Sequence, residues 1–472
     1  MYRKELLGST SDMILDYISS IEEDWEILQE VITILVSHVD HLASKNLIPR
    51  DAADKIITAL RRLYEEPRLL EKYSKAEDIH EAIEMYLLEE IGSEASSWLP
   101  LGRSRNDHVA TALRMKTKKL LAYIMRLIIE LREALIKKAS EHIDTIMPGF
   151  THLQPAQPIT FAHYLLHIEE VLSDYFTIFR AVYEITDKSP LGSGALSGTT
   201  IQLDRESLAT SLGFNNLVLN TLAATSSRDF LALATSTAIC LSIMLSRVAE
   251  DFIIWSTPQF SYIIPSDKHL ATSSMMPHKR NPVTMEIMRA WAGEAIGHLV
   301  SLLAILKSTP SGYNLDLQEA TKHAWRTLSW TIKTLNILID FIKNVQVNKA
   351  KAMSDASTYT LYITDIAEYV SIKTKKPYRL VYREIANILR KSNSLEDIIS
   401  EITRRYGFSR EDIAKLVSPE TSLVLRKVVG SPNPSRVLEL INRESEKLER
   451  DKEVLVEILG SRNYEDGSCG SK

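Results

Sequence analysis

The stretch Ser273-Ser274-Met275-Met276-Pro277-His278-Lys279-Arg280-Asn281-Pro282 gathers two hydroxyls, a lysine and an asparagine amide in one segment punctuated by two prolines. Each proline lacks an N–H donor and biases the residue before it away from helix. The spacing predicts a loop over residues 273–281 and a helix starting near Val283. Such a loop has few groups that could build a core. It has many that could hold an anion: Ser273, Ser274, Lys279, Asn281 and backbone N–H groups at a helix start. A solvated surface loop is the plain alternative.

Three further segments carry groups of the same kind. Gly102-Arg103-Ser104-Arg105-Asn106-Asp107 precedes a long run without Gly or Pro. Asn106 or Asp107 would serve as a helix cap, and acidic charge suits a helix start. A cap leaves two arginines flanking a serine unexplained; Arg103 and Arg105 could grip carboxylates as bidentate forks. Thr151-His152-Leu153-Gln154-Pro155-Ala156-Gln157-Pro158 sets a histidine in a non-helical stretch. Histidine titrates near neutrality and can pass a proton at physiological pH. Taken alone, His152 reads more simply as a ring bonded to a backbone carbonyl. Tyr313-Asn314-Leu315-Asp316-Leu317-Gln318-Glu319 opens the last long helical run. Tyr313 and Gln318 reach one ligand only if the helix begins between them.

Two other patterns point away from chemistry. His163 and His167 lie four apart, but Tyr164 stands where a metalloprotease helix has Glu, and no third ligand is in register. No metal site is expected there. The Gly192-Ser193-Gly194 and Gly198 cluster lacks the Gly-Lys-Ser/Thr ending of a phosphate loop, and fits a tight backbone turn.

Long helices must position these segments. Residues 103–147 contain neither Gly nor Pro, and Leu113, Leu120, Ile124, Leu127, Leu131 and Leu135 form one helical stripe. Leu121, Met125, Ile128 and Ile129 form a second stripe beside it. A helix apolar on two faces is buried on two faces, as in the middle of a bundle. About 35 residues at ~1.5 Å each span roughly 50 Å, a length that commonly continues into a subunit interface. Residues 159–186, starting after Pro158 as a first-turn proline, read the same way. So do 228–256, 283–308 and part of 313–376. These make an all-α bundle with no parallel-sheet pattern. The polar segments at 102–107, 151–158, 189–205 and 271–282 fall between its helices. Boundaries near 103 and 355 give three domains: a helical one at 1–102, the long-helix bundle at 103–355 and a small helical one at 356–472.

Composition narrows the class. The chain has 472 residues, 45% of them hydrophobic, and only 16 Gly and 16 Pro, which suits long helices. A net charge of −5 gives no reason to expect nucleic acid. Two cysteines, Cys240 and Cys469, cannot build a disulfide framework. The start, MYRKELLGSTSDM, lacks a signal peptide's apolar run, and no uncharged apolar stretch is long enough to span a bilayer. The expectation is a soluble cytoplasmic protein without membrane partners.

Taken in order, the segments resemble the fumarase/aspartase superfamily and, within it, the argininosuccinate lyase branch. The resemblance runs through Glu77-Asp78-Ile79-His80, GRSRND at 102–107, MPGFTHLQPAQP at 147–158 and PLGSGAL at 190–196. It continues with Leu203-Asp204-Arg205, Ser227-Arg228-Asp229-Phe230, the 273–282 loop and YNLDLQE at 313–319. It implies a three-domain all-α fold whose long helices form a twenty-helix core in a homotetramer, with each active site shared by three subunits. It implies reversible β-elimination of argininosuccinate to L-arginine and fumarate, the last step of arginine biosynthesis, without cofactor or metal.

By the same resemblance Ser273 is the general base and His152 the general acid. Lys279 and Asn281 stabilise the developing charge on the substrate, and Glu286 pairs with the histidine. Ser20, Ser104, Arg105, Asn106 and Thr151 bind the substrate carboxylate end, and Tyr313 and Gln318 hold the arginine portion. A serine is a poor base unless its alkoxide is stabilised; loop N–H groups and Lys279 could do this. Three positions depart from the family pattern. Thr272 replaces a glycine before the serine pair, so a restricted, β-branched residue stands where φ > 0 would otherwise be allowed. Thr321 replaces a lysine, with Lys322 one residue on. His278-Lys279-Arg280 is the form typical of adenylosuccinate lyase, which makes that enzyme, or another fumarate-releasing lyase, the alternative.

Overall fold

The structure is a computed structural model and describes residue 8 and residues 11–460. Cys469 and most of the N-terminal stretch lie outside the described residues. The first hundred residues supply α1 (Leu28–Ser44), α2 (Arg50–Glu65) and α3 (Ile79–Ser96). The long helices follow as α4 (Arg105–Ser140), α5 (Phe161–Thr186), α6 (Asp229–Ser256), α7 (Val283–Leu306) and α8 (Asp316–Asn344). Shorter α9 (Ile363–Thr374), α10 (Tyr378–Lys391) and α11 (Leu395–Tyr406) precede a long last helix, α12 (Pro434–Leu459).

Both stripes of α4 are buried apart from Leu120, which is half-buried. Leu121, Ile124, Met125, Leu127, Ile128, Leu131 and Leu135 are sealed in one core by α1, α5, α8 and α12. Burying such side chains contributes roughly 1.5–3 kcal/mol each relative to exposure. Arg132 lies within this core and donates to Glu169 on α5 at 2.7 Å and to Asp451 on α12 at 2.6 Å. Two carboxyl groups from two other helices offset the cost of burying the guanidinium. Val437, Ile441, Leu448 and Leu455 of α12 belong to the same core. Ile366, Val381, Ile385, Ile398, Ile402 and Ile413 form a separate apolar cluster across α9–α11 and the short helix after them.

Two of the long helices, α6 and α7, are apolar and long enough to cross a membrane by length and composition. This qualifies the expectation from the sequence, which counted only uncharged runs. The neighbouring helices bury 56% of that stretch in α6 but only 22% in α7. On α7, Ile296, Val300 and Leu303 form one exposed apolar stripe.

The strands are short. β1 (Ile146–Thr151) and β2 (Gln154–Thr160) make an antiparallel hairpin where the sequence predicted only a polar connection. Pro158 therefore lies in β2 rather than in the first turn of α5; Thr160 caps that helix, its hydroxyl accepting the His163 N–H at 3.1 Å. β3 (Ala271–Thr272) pairs with β4 (Arg280–Asn281) and closes the base of the 273–279 loop.

At the head of α4, Ser104 rather than Asn106 or Asp107 is the cap, and it forms a capping box with Asp107. The buried Asp107 carboxylate accepts the Ser104 N–H at 3.1 Å, the Gly192 N–H at 3.0 Å and the Gly194 N–H at 2.9 Å. The glycine cluster is thus a turn wrapped around a carboxylate. Gly192 and Gly194 have φ of 82° and 58°, which favours glycine. Arg205 locks the turn from outside, donating to Leu191 O, Ser193 Oγ and Val218 O at 2.9–3.0 Å. A Cβ on Gly194 would overlap the Gly198 carbonyl. Gly194→Ala should cost about 2–3 kcal/mol of stability, read as a lower urea midpoint at unchanged slope.

Candidate active site

Four helix starts converge on one cavity of about 150 Å³. Asp78 and His80 reach it from the head of α3, Arg105 and Asn106 from α4, Arg228 from α6, and Leu317 and Gln318 from α8. Ser20, Glu23, Asp24 and Tyr313 also line it. Helix N-termini carry partial positive charge and spare N–H groups, so they favour carboxylates. The acidic side chains beside them favour cationic groups. A zwitterion with several carboxylates meets both demands.

Most of these side chains are fixed by neighbours. Asp78 caps α3, accepting the Glu81 N–H at 2.7 Å, and its other oxygen accepts from Arg105 at 2.5 Å. Asn106 donates to Ala195 O at 3.2 Å, which ties it to the glycine turn. Ser20 donates to Asp24 at 2.8 Å, and Gln318 to Ile18 O at 3.4 Å. Helix α8 does begin between Tyr313 and Gln318, and both face the cavity. Burial raises the Tyr313 phenol, with Arg228 opposing the shift. Burial lowers His80 to about 3, so its ring is neutral at physiological pH.

Arg103 is not a ligand candidate. Its guanidinium is 4% exposed and pairs with Glu84 at 2.5 Å. Arg228 was not assigned a role from the sequence. It is buried, donates one arm to Thr225 O and Ser227 O, and has Nε and Nη2 without a hydrogen-bond partner among the described residues. Burial lowers it to about 10. Asp24, Asp78 and His80 were likewise unassigned. The strings around Asp78, His80 and Arg228 carry the family resemblance, and that was the available signal.

The remaining candidates lie elsewhere in the chain. Thr151 ends β1, and His152 and Leu153 form the two-residue turn of the hairpin at φ of 54° and 58°. Two consecutive positive φ values without glycine hold the backbone in a strained turn. Leu153 is 68% exposed at this tip. Ser273 begins the loop above β3, and its Oγ accepts the Met275 N–H at 3.2 Å and the Met276 N–H at 3.1 Å. Lys279 is exposed on the same loop, Asn281 sits in β4, and Glu286 lies in the first turn of α7. Thr272 lies in β3, outside the positive-φ positions, so a β-branched residue fits there. Arg280 pairs with Asp267 at 2.9 Å. Thr321 faces the cavity with its hydroxyl turned back to Leu317 O, while Lys322 is turned to Glu319 at 2.5 Å. Lys322 does not take the place of the missing lysine.

These two groups occupy opposite ends of α8. Gln318 lines the cavity near its start. Asp340, near its end, bonds His269 at the root of the 271–282 loop. Twenty-two residues of helix separate them, roughly 33 Å. The hairpin packs on the short helix Lys349–Ala356, beyond that same far end.

Comparison with known proteins agrees with this architecture. The lyase family model matches residues 5–297. The solved structure of EDDS lyase in complex with formate superposes with a TM-score of 0.83 at 25% identity, covering 92% of this chain and 88% of that one. A class II fumarase from Schistosoma mansoni superposes with a TM-score of 0.73 at 16% identity, covering 84% and 90%. The fold is that of the fumarase/aspartase lyases. Over 463 residues the chain is 51% identical to the argininosuccinate lyase of Pyrococcus furiosus, covering 98% of both chains. The chain belongs to the argininosuccinate lyase family.

Asp24 gives a test of the cavity's electrostatics. Burial raises its carboxyl from 3.8 to about 6, more than the Ser20 hydroxyl and Ile79 N–H lower it. A raised carboxyl pKa adds stability below the unfolded value, and that stability is lost as pH rises through the folded value. Relative to Asp24→Asn, the wild type should lose stability between about pH 4 and about pH 6, and run parallel above. Urea denaturation across that range measures it.

Proposed function

We propose that this protein cleaves argininosuccinate reversibly to L-arginine and fumarate. The observation that carries the reading is near-complete alignment with a lyase of that name, joined to a cavity built for carboxylates and cations together. Tyr313, Gln318 and the acidic wall hold the arginine portion. Ser20, Ser104, Arg105, Asn106 and Thr151 hold the carboxylate end.

Ser273 removes a proton from the carbon next to a carboxylate. Its oxygen already accepts two loop N–H bonds, which lower the cost of the alkoxide. The electron pair spreads onto that carboxylate, where Lys279 and Asn281 donate. The carbon–nitrogen bond then breaks, the carbon–carbon double bond of fumarate forms, and His152 gives a proton to the leaving guanidino nitrogen. Glu286 orients that ring.

One chain does not complete this site. The cavity and the root of the base-bearing loop are separated by twenty-two residues of α8, roughly 33 Å. His152 and Glu286 share no hydrogen bond among the described residues. A homotetramer in which three subunits meet at each site resolves this. The exposed stripe Ile296, Val300 and Leu303 on α7 and the exposed Leu153 support such an assembly. The enzyme works in the cytoplasm.

The test is direct. Purified protein should release fumarate, followed by its absorbance, from argininosuccinate and not from adenylosuccinate. A folded protein that releases none from argininosuccinate overturns the reading. Ser273→Ala should lower turnover by about 10²–10⁴-fold with little change in thermal midpoint, because a loop hydroxyl supports no core.

A further inference from the structure

The 271–282 loop is held at its roots by a side-chain network outside the cavity. His269 lies two residues before β3 and is 2% exposed. Its Nδ1 is 3.1 Å from the Thr284 hydroxyl, in the first turn of α7 just after the loop. Its Nε2 is 3.0 Å from Asp340 Oδ2 on α8. One ring therefore joins the residue entering the loop, the residue leaving it and the helix beneath it.

The donors and acceptors fit this arrangement. A carboxylate only accepts, so Nε2 carries a proton and donates to Asp340. Nδ1 is then free to accept the Thr284 O–H at 3.1 Å, a closer acceptor than the His269 carbonyl, 3.5 Å from the same hydroxyl. Asp340 is fixed in turn by Lys268 at 2.7 Å, and the Asn344 amide donates to its other oxygen at 3.1 Å. The Lys268 ammonium, and then His269, hold the Asp340 carboxyl below its usual range. The imidazole packs edge-on against Phe341, with ring centres 5.2 Å apart. Between the anchored roots the only strand pairing is Ala271 with Asn281 and Thr272 with Arg280. Two residue pairs are too few to hold a loop register on their own.

We infer that His269 is a positioning residue for the reaction: by clamping both roots of the 271–282 loop to α8 through Thr284 and Asp340, it sets where Ser273 meets the substrate carbon. The inference rests on the reading of Ser273 as the base. His269 touches neither the cavity nor the loop tip, so its effect falls on the chemical step rather than on substrate binding. Misplacing a reacting group by about 1 Å costs as much as 10²-fold in rate.

The experiment compares Thr284→Val, which keeps shape and removes the hydroxyl, and His269→Phe, which keeps the packing on Phe341. Thr284→Ser is the conservative control. Fumarate release and tryptic cleavage after Lys279 and Arg280 are measured on the intact protein. Thr284→Val and His269→Phe should lower kcat by about 10–100-fold with KM changed less than about threefold. Both should speed loop cleavage severalfold, and Thr284→Ser should restore both readouts. Unchanged kcat with unchanged cleavage overturns the clamp. So does a loss of kcat that accompanies a fall in thermal midpoint and is not restored by Thr284→Ser. If the wild type releases no fumarate, the reading of function fails, and the cleavage rates still decide whether the loop is clamped.

Discussion

The site depends first on one buried carboxylate. Asp107 accepts N–H bonds from its own helix cap and from two glycines more than eighty residues on. Burial pushes its carboxyl up to about 6, and those three bonds pull the other way. The bonds fix the first turn of α4 against the glycine turn, and so fix the direction in which Arg105 and Asn106 leave it. Arg205 then closes the turn from its outer side. The GRSRND, PLGSGAL and LDR strings are therefore one structural unit. Of the first of these strings Arg105 and Asn106 face the cavity, while Ser104 caps the helix.

Around that unit the bundle gathers helix starts rather than reactive side chains. α3, α4, α6 and α8 all open toward the cavity, so partial positive charge comes from backbone that needs no counter-ion. Acidic side chains can then sit beside it without making the pocket uniformly negative. Arg105 and Asp78 neutralise each other across it at 2.5 Å. The arrangement suits a substrate of mixed charge better than a simple anion.

Much of this was legible in the sequence, for identifiable reasons. The α4 stripes predicted burial on two faces because leucine spacing reports helix geometry directly. Pro277 and Pro282 bounded the 273–281 loop, and α7 begins at Val283 as they require. The hairpin at 146–160 was missed because its prolines and glutamines show no alternation; its pairing depends on a turn that His152 and Leu153 adopt against their preference. Ser104 was passed over as the cap because Asn106 and Asp107 are equally good cap types, and only the glycine turn decides between them. Arg228 and Asp24 could not be placed, since their neighbours in the cavity come from distant parts of the chain. The spacing of Tyr313 and Gln318 stated the right condition, and the start of α8 met it.

The length of α8 has a consequence of its own. On the proposed assembly it is a rigid strut with half of one reaction chamber at its head and half of another at its foot. On the proposed assembly, no subunit keeps its own base and its own substrate cavity together. A defect in the loop of one chain silences a chamber whose cavity belongs to a neighbour, while that chain's own cavity remains sound. The unit on which selection acts is then the assembly, and the distance between its chambers is set by the rise of one helix.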